Sequence, residues 1–173
     1  MKIYRGKIGP ISEDIVKTLA QEGDIEVATE QMSEVILDVE AIIREYLRLE
    51  EELNRQAREL LQQRGLSYTE FGRVKRELAE EKKFEIGDKA VYWITHQIIE
   101  CFMVNSRVTE IFSEDWVIRK KIAKIFNQHL GMEEQIDKEA RAKISKSIPE
   151  GSPEWEIEYK KIFNQLAKKR GLL

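Results

Sequence analysis

A chain of 173 residues suits one domain, or two small halves sharing a core, and at that length roughly 70% of the unfolded surface is buried without staples. Charged residues at 35%, hydrophobic ones at 42% and only three prolines exclude a disordered chain and favour amphipathic helices with ion-paired outer faces. A net charge of -3 excludes a strongly basic nucleic-acid or acidic-membrane binder, although residues 12–61 carry 14 acids against 5 bases and residues 138–173 carry 9 bases against 5 acids.

In chain order, a short helix is expected from Ser12 to Glu22, with Ser12 as its N-cap and Gly23 as its stop. A long helix follows from about Ala28 to Gln63, closed by Gly65. Its apolar residues Met32, Ile36, Val39, Ile43, Tyr46, Leu53, Ala57 and Leu60 alternate spacings of three and four, which turns one narrow seam toward a partner helix. Ser67-Tyr-Thr-Glu70 is a capping-box pattern that opens a third helix to about Lys83.

Asp88 caps a fourth helix, whose Val91, Trp93, Ile94, Ile98, Ile99, Phe102 and Met103 make it apolar around much of its circumference and place it centrally. Ser113 opens a fifth, running to about Lys146 with Ile118, Ile122, Ile125, Met132, Ile136 and Ile144 inward. Pro149-Glu-Gly-Ser-Pro153 breaks the chain, and Ser152 with Pro153 at the first helical position starts a last helix to about Arg170, with Gly171 after it. No segment alternates with period two for long enough to form a sheet. The expectation is therefore all-α: a single helical domain, 1–173, of about six helices, two of them long.

A weak internal repeat organises these helices. Leu47-Arg-Leu-Glu-Glu-Glu-Leu-Asn-Arg-Gln-Ala-Arg58 aligns with Leu130-Gly-Met-Glu-Glu-Gln-Ile-Asp-Lys-Glu-Ala-Arg141, with five of twelve positions identical. Downstream, after a small gap, Leu78-Ala-Glu-Glu-Lys-Lys-Phe84 matches Leu166-Ala-Lys-Lys-Arg-Gly-Leu172. The halves, about 12–87 and 88–173, are expected to pack with pseudo-two-fold symmetry, each covering the other's seam.

The run Trp155-Glu-Ile-Glu-Tyr-Lys-Lys-Ile, the ending Lys169-Arg-Gly-Leu-Leu173, the block Asp137-Lys-Glu-Ala-Arg-Ala-Lys-Ile144 and Val74-Lys-Arg-Glu-Leu78 resemble a bacterial family known as "domain of unknown function 507", from about residue 28 onward. The resemblance implies a helical, cytosolic bacterial protein and supplies no catalytic residues.

The residues themselves point to no catalysis. Cys101 is alone, which excludes an intrachain disulfide and suits a reducing cytoplasm. MKIYRGKIGP lacks a signal peptide's apolar core, and Ala90 to Val104 is too short to cross a bilayer, so no membrane partner is expected. His96 and Glu100 stand four apart on a helix, but two histidines in all favour an intrahelical hydrogen bond beside the core over a metal site. His129 aligns with Tyr46, so a packed, hydrogen-bonded ring is expected there. No nucleophile–base pair and no phosphate-binding glycine loop occur, so no cofactor is assigned and the reading leans away from an enzyme.

Two charged sets remain. Glu50 falls on the seam between Tyr46 and Leu53, where an acid needs a partner; Arg58 or Arg141 from a facing helix would serve, and Glu133 occupies the equivalent place in the second half. Glu50, Arg58, Glu133 and Arg141 thus form the candidate register-fixing or partner-groove network. Lys160, Lys161, Lys168, Lys169 and Arg170 are the candidate nucleic-acid contacts, against a plainer role for the last three at a helix C-terminus. The leading functional expectation is protein–protein interaction or assembly, with a protein partner or a homo-oligomer. RNA or DNA association through the basic last helix is the alternative, and a carboxylate-rich metal enzyme is a third, less favoured reading.

Overall fold

The structure is a computed structural model and describes residues 2–170. Among them lie six α-helices and one small sheet: α1 Arg5–Gln21, β1 Ile25–Val27, α2 Met32–Gln63, α3 Phe71–Glu81, α4 Ala90–Val104, β2 Val108–Ile111, α5 Asp115–Lys143 and α6 Pro153–Lys169. The fold is all-α, with α2 and α5 the long helices, as expected. No described helix is long and apolar enough to cross a membrane.

The chain divides into two compact units, each drawing on both parts of the sequence. The first comprises residues 3–49 and 87–130, and the second Lys2 with residues 50–86 and the chain from Gly131. In the first unit, α1 buries Ile8, Ile11, Ile15 and Leu19 completely, α4 buries Ile94 and Ile98, and the starts of α2 and α5 add Val35, Val39, Ile118 and Ile122. Strands β1 and β2 pair antiparallel there, Ile25 opposite Ile111, with a register shift between Glu26 and Val27. In the second unit, Ala57, Leu61, Phe71 and Val74 form one cluster, with Leu60, Leu66 and Leu78 against it.

Several sequence expectations need correction. The first helix starts at Arg5, not Ser12, and carries Pro10 inside it; Ser12 is buried in its middle and caps nothing. An internal proline costs a helix roughly 3 kcal/mol. Complete burial of Ile8 and Ile11, at about 1.5–3 kcal/mol each, offsets that. The sheet was not foreseen because strands of three and four residues are too short to establish a period.

The inner stripe of α2 includes Val35 and Leu61, both buried, whereas Met32, Ile36 and Leu60 are half-buried. A straight helix of 3.6 residues per turn drifts off a strict heptad in this way. Met132, assigned to the inner face of α5, is 49% exposed, and its place is taken by the buried Leu130, Glu133 and Ile136. Helix α4 is not enclosed all round either, since Tyr92, Met103 and Val104 face solvent. It follows Lys89, with no side-chain cap, so Asp88 does not serve as one. The cap at Ser152 forms as expected: its Oγ accepts from the Trp155 N–H at 3.2 Å, with Pro153 opening α6. Gly171 lies outside the described residues.

Candidate functional site

The expected network falls in the second unit, and its members find other partners than those anticipated. Glu50 pairs with Lys75 on α3 at 3.7 Å, not with Arg58 or Arg141. Arg58 reaches Glu156 at 3.6 Å and lies over the Phe71 ring at 5.6 Å. Arg141 donates to Asp137 at 3.0 Å and to Glu150 at 2.6 Å. Glu133 is only 8% exposed, the most buried glutamate among the described residues.

Around Arg141 stands an aromatic ladder. Trp155 and Tyr159 stack at 5.1 Å, nearly parallel, and Phe163 follows at 5.9 Å. The Arg141 guanidinium covers Trp155 at 5.2 Å and Tyr159 at 5.5 Å, while Lys2 covers Tyr159 at 4.5 Å. The Tyr159 hydroxyl donates to Asp137. Burial lowers the Lys2 ammonium below its ordinary range, with Asp137 opposing that shift. Thus the stripe at 155, 159 and 163 packs under cations, and its rings are taken up inside the unit.

Of the basic C-terminal residues, Arg170 is engaged by Glu139 at 2.5 Å and Lys161 approaches Glu158 at 3.7 Å. Lys160, Lys168 and Lys169 lie exposed on α6. His96 and Glu100 form a surface pair at 3.8 Å, each more than half exposed. His129 is packed and shares a hydrogen bond with Asp14 at 2.5 Å, and Tyr46 is buried against Trp93 at 5.5 Å. Cys101 is a free thiol, raised above its ordinary pKa by burial and then by the charge of Asp38. Among the described residues, no group of three or more His, Cys, Asp or Glu side chains is arranged to hold a metal.

A further site lies in the first unit, where sequence reasoning had no candidate. A groove of about 720 Å³ runs between the C-terminal part of α1 and the N-terminal part of α5, lined by Thr18, Glu22, Trp116, Val117, Lys120, Lys121, Lys124, Ile125 and Gln128. One side is anchored by Asp24, a carboxylate with only 3% of its side chain exposed. It accepts from the Ser113 hydroxyl and the Lys121 ammonium, each at 2.6 Å, and its carbonyl accepts from the Phe112 N–H at 2.9 Å. Lys121 also meets Glu22 at 2.5 Å, and its pKa is raised by the bond to Asp24 first and Glu22 second.

Lys121 is therefore neutralised within the fold. Lys120 and Lys124 are not: both are exposed, and neither has an ion pair among the described residues. Trp116 is 66% exposed and Phe112, just before it, 63%. The signal was present in the sequence. Trp116 precedes the inward stripe of Ile118, Ile122 and Ile125 by two positions, which turns it off the buried face.

The family model for "Protein of unknown function (DUF507)" matches residues 1–172. The chain belongs to this family. The match extends the resemblance read from residue 28 onward to include α1 and β1, so the groove's two walls both lie within the DUF507 region. A search of the curated proteins found no match.

Proposed function

We propose that this DUF507 protein is a non-enzymatic interaction or assembly protein of the bacterial cytosol, which docks another protein chain on the first unit. The observation that carries the reading is the groove between α1 and α5, with a tryptophan two-thirds exposed at its edge and two unneutralised lysines along it. Tryptophan is rare on open surface and enriched where partners are held, because it supplies a large contact area with few rotatable bonds. The free thiol of Cys101 suits the reducing compartment proposed.

The same element order, helix, strand, long helix, helix, occurs twice along the chain. β2 begins 83 residues after β1 (108 less 25) and α5 begins 83 after α2 (115 less 32), the separation of the aligned Leu47 and Leu130. That recurrence supports an internal duplication as the origin of the two long helices.

The test is cross-linking in native cells, followed by capture of the tagged protein with and without nuclease. Under this reading one protein cross-links at Lys120 or Lys124, survives nuclease, and is lost at least tenfold from Trp116→Ser. Equal recovery from wild type and Trp116→Ser overturns it. Recovery that vanishes with nuclease, and that Lys160, Lys161 and Lys168 to Glu abolishes, transfers the function to nucleic acid.

A further inference from the structure

We infer that the occupant of the α1–α5 groove is a second copy of this chain, presenting the exposed face where β1 leads into α2. This deepens the interaction reading and rests on it. The argument is charge complementarity in matched spacing, within one unit. Along α5, Trp116, Lys120 and Lys124 follow one another at intervals of four, so they form one row on the helix surface. Along the other face, Glu30 stands in the turn before α2, Glu34 in its first turn and Leu37 three residues on.

All three are exposed, Leu37 by 54%, and neither glutamate has an ion pair among the described residues. Laid antiparallel, Glu30 meets Lys124, Glu34 meets Lys120 and Leu37 meets Trp116. The two charge pairs then stand about 6 Å apart, and the apolar contact follows one turn beyond them. Both surfaces are otherwise incomplete. The lysines sit where Lys121 has already taken the acids at hand, Glu22 and Asp24. The exposed leucine of α2 stands one turn beyond Glu34, which has no base beside it, whereas Asp38 on its other side already has Arg107 at 3.7 Å.

A second copy brings both missing halves at once, which an unrelated acidic segment would do for only one of them. Both surfaces lie within residues 3–49 and 87–130, so every copy carries a donor and an acceptor face. Opposite charges facing each other also fix the register, because a slip of one turn sets Leu37 against a lysine.

The test is sedimentation velocity on the full chain across the micromolar range, at low and high salt. Wild type is expected to exceed the mass of one chain and to dissociate as salt rises. The variants E30K/E34K and K120E/K124E, each folded by circular dichroism, are each expected to weaken association at least tenfold alone. Mixed in equal amounts, they are expected to regain the wild-type assembly, since each then meets the opposite charge. A wild type that stays monomeric throughout overturns the inference, as do reversed variants that associate normally or a mixture of folded variants that fails to recover. An assembly that nuclease dissolves overturns it too and assigns the groove to nucleic acid. A monomeric wild type leaves the broader reading to the Trp116→Ser cross-linking experiment, so the two fail separately.

Discussion

Gly151→Ala should be among the most damaging single-methyl changes in the second unit, and Gly65→Ala is its control. Gly151 has φ +86°, a left-handed conformation that costs an alanine roughly 1–2 kcal/mol. A Cβ at Gly151 would also stand 2.8 Å from Cγ and 2.9 Å from Cδ1 of Phe71. That ring is 6% exposed and held among Ala57, Leu61 and Val74, with Arg58 over its face, so it has nowhere to swing.

Overpacking of this kind adds roughly 1–3 kcal/mol. The lost freedom of the unfolded chain returns about 0.5 kcal/mol, leaving a net cost near 3 kcal/mol. Gly65 has φ +63° but no heavy atom within 4 Å of its Cβ position, so its net cost is about 1 kcal/mol. Urea or thermal unfolding followed by far-ultraviolet circular dichroism separates the two. The expected fall in Tm is about 9 °C for Gly151→Ala and about 3 °C for Gly65→Ala. Pairing Gly151→Ala with Phe71→Ala should recover about 2 kcal/mol relative to additivity. If the two glycine variants agree within about 0.5 kcal/mol, the Phe71 contact carries no energy and the reasoning is wrong.

Asp24→Ala removes a buried acceptor of two side-chain bonds, one from an ammonium, while Lys121 keeps Glu22; the expected loss is about 2–3 kcal/mol in urea unfolding. Because the raised Lys121 pKa contributes fully below the ordinary lysine value of 10.5 and is lost only as pH climbs through the higher folded value, that deficit should stay flat from neutral pH up to the approach of 10.5 and shrink above it. Ser152→Ala deletes the N-cap bond to the Trp155 N–H and should cost about 1 kcal/mol by the same assay. For Cys101, burial followed by the Asp38 charge predicts alkylation by iodoacetamide with a midpoint above pH 9.0, whereas a midpoint below it would contradict the packing around that thiol.

How much of this was legible in the sequence depends on how much sequence each feature occupies. Helix α2 repeats its apolar positions often enough over 32 residues for its length to be plain, and Ser152-Pro153 encodes the start of α6 in two side chains. The front of α1 was hidden because Gly6, Gly9 and Pro10 read locally as a loop. Only the burial of Ile8 and Ile11, a tertiary effect, makes that stretch helical. The partners of Glu50 and Arg58 were misread because Lys75 on α3 and Glu156 on α6 approach from elements with no sequence relation to the seam. Trp116 was visible as an off-stripe residue, but the groove beside it needs α1, and no spacing along one helix announces a neighbouring one.

The way both units draw on distant segments has a consequence for how the molecule comes into being on the ribosome. Ile25 emerges 86 residues before its partner Ile111 (111 less 25), so β1 waits unpaired through the synthesis of α2, α3 and α4. The first unit completes once residue 130 is out, and the second, begun at Glu50, closes only with α6. A nascent chain stopped at residue 86 holds part of each unit and the whole of neither. Until residues 87–130 have followed, the apolar stripes of α1 and of the start of α2 are surfaces that a chaperone would find first.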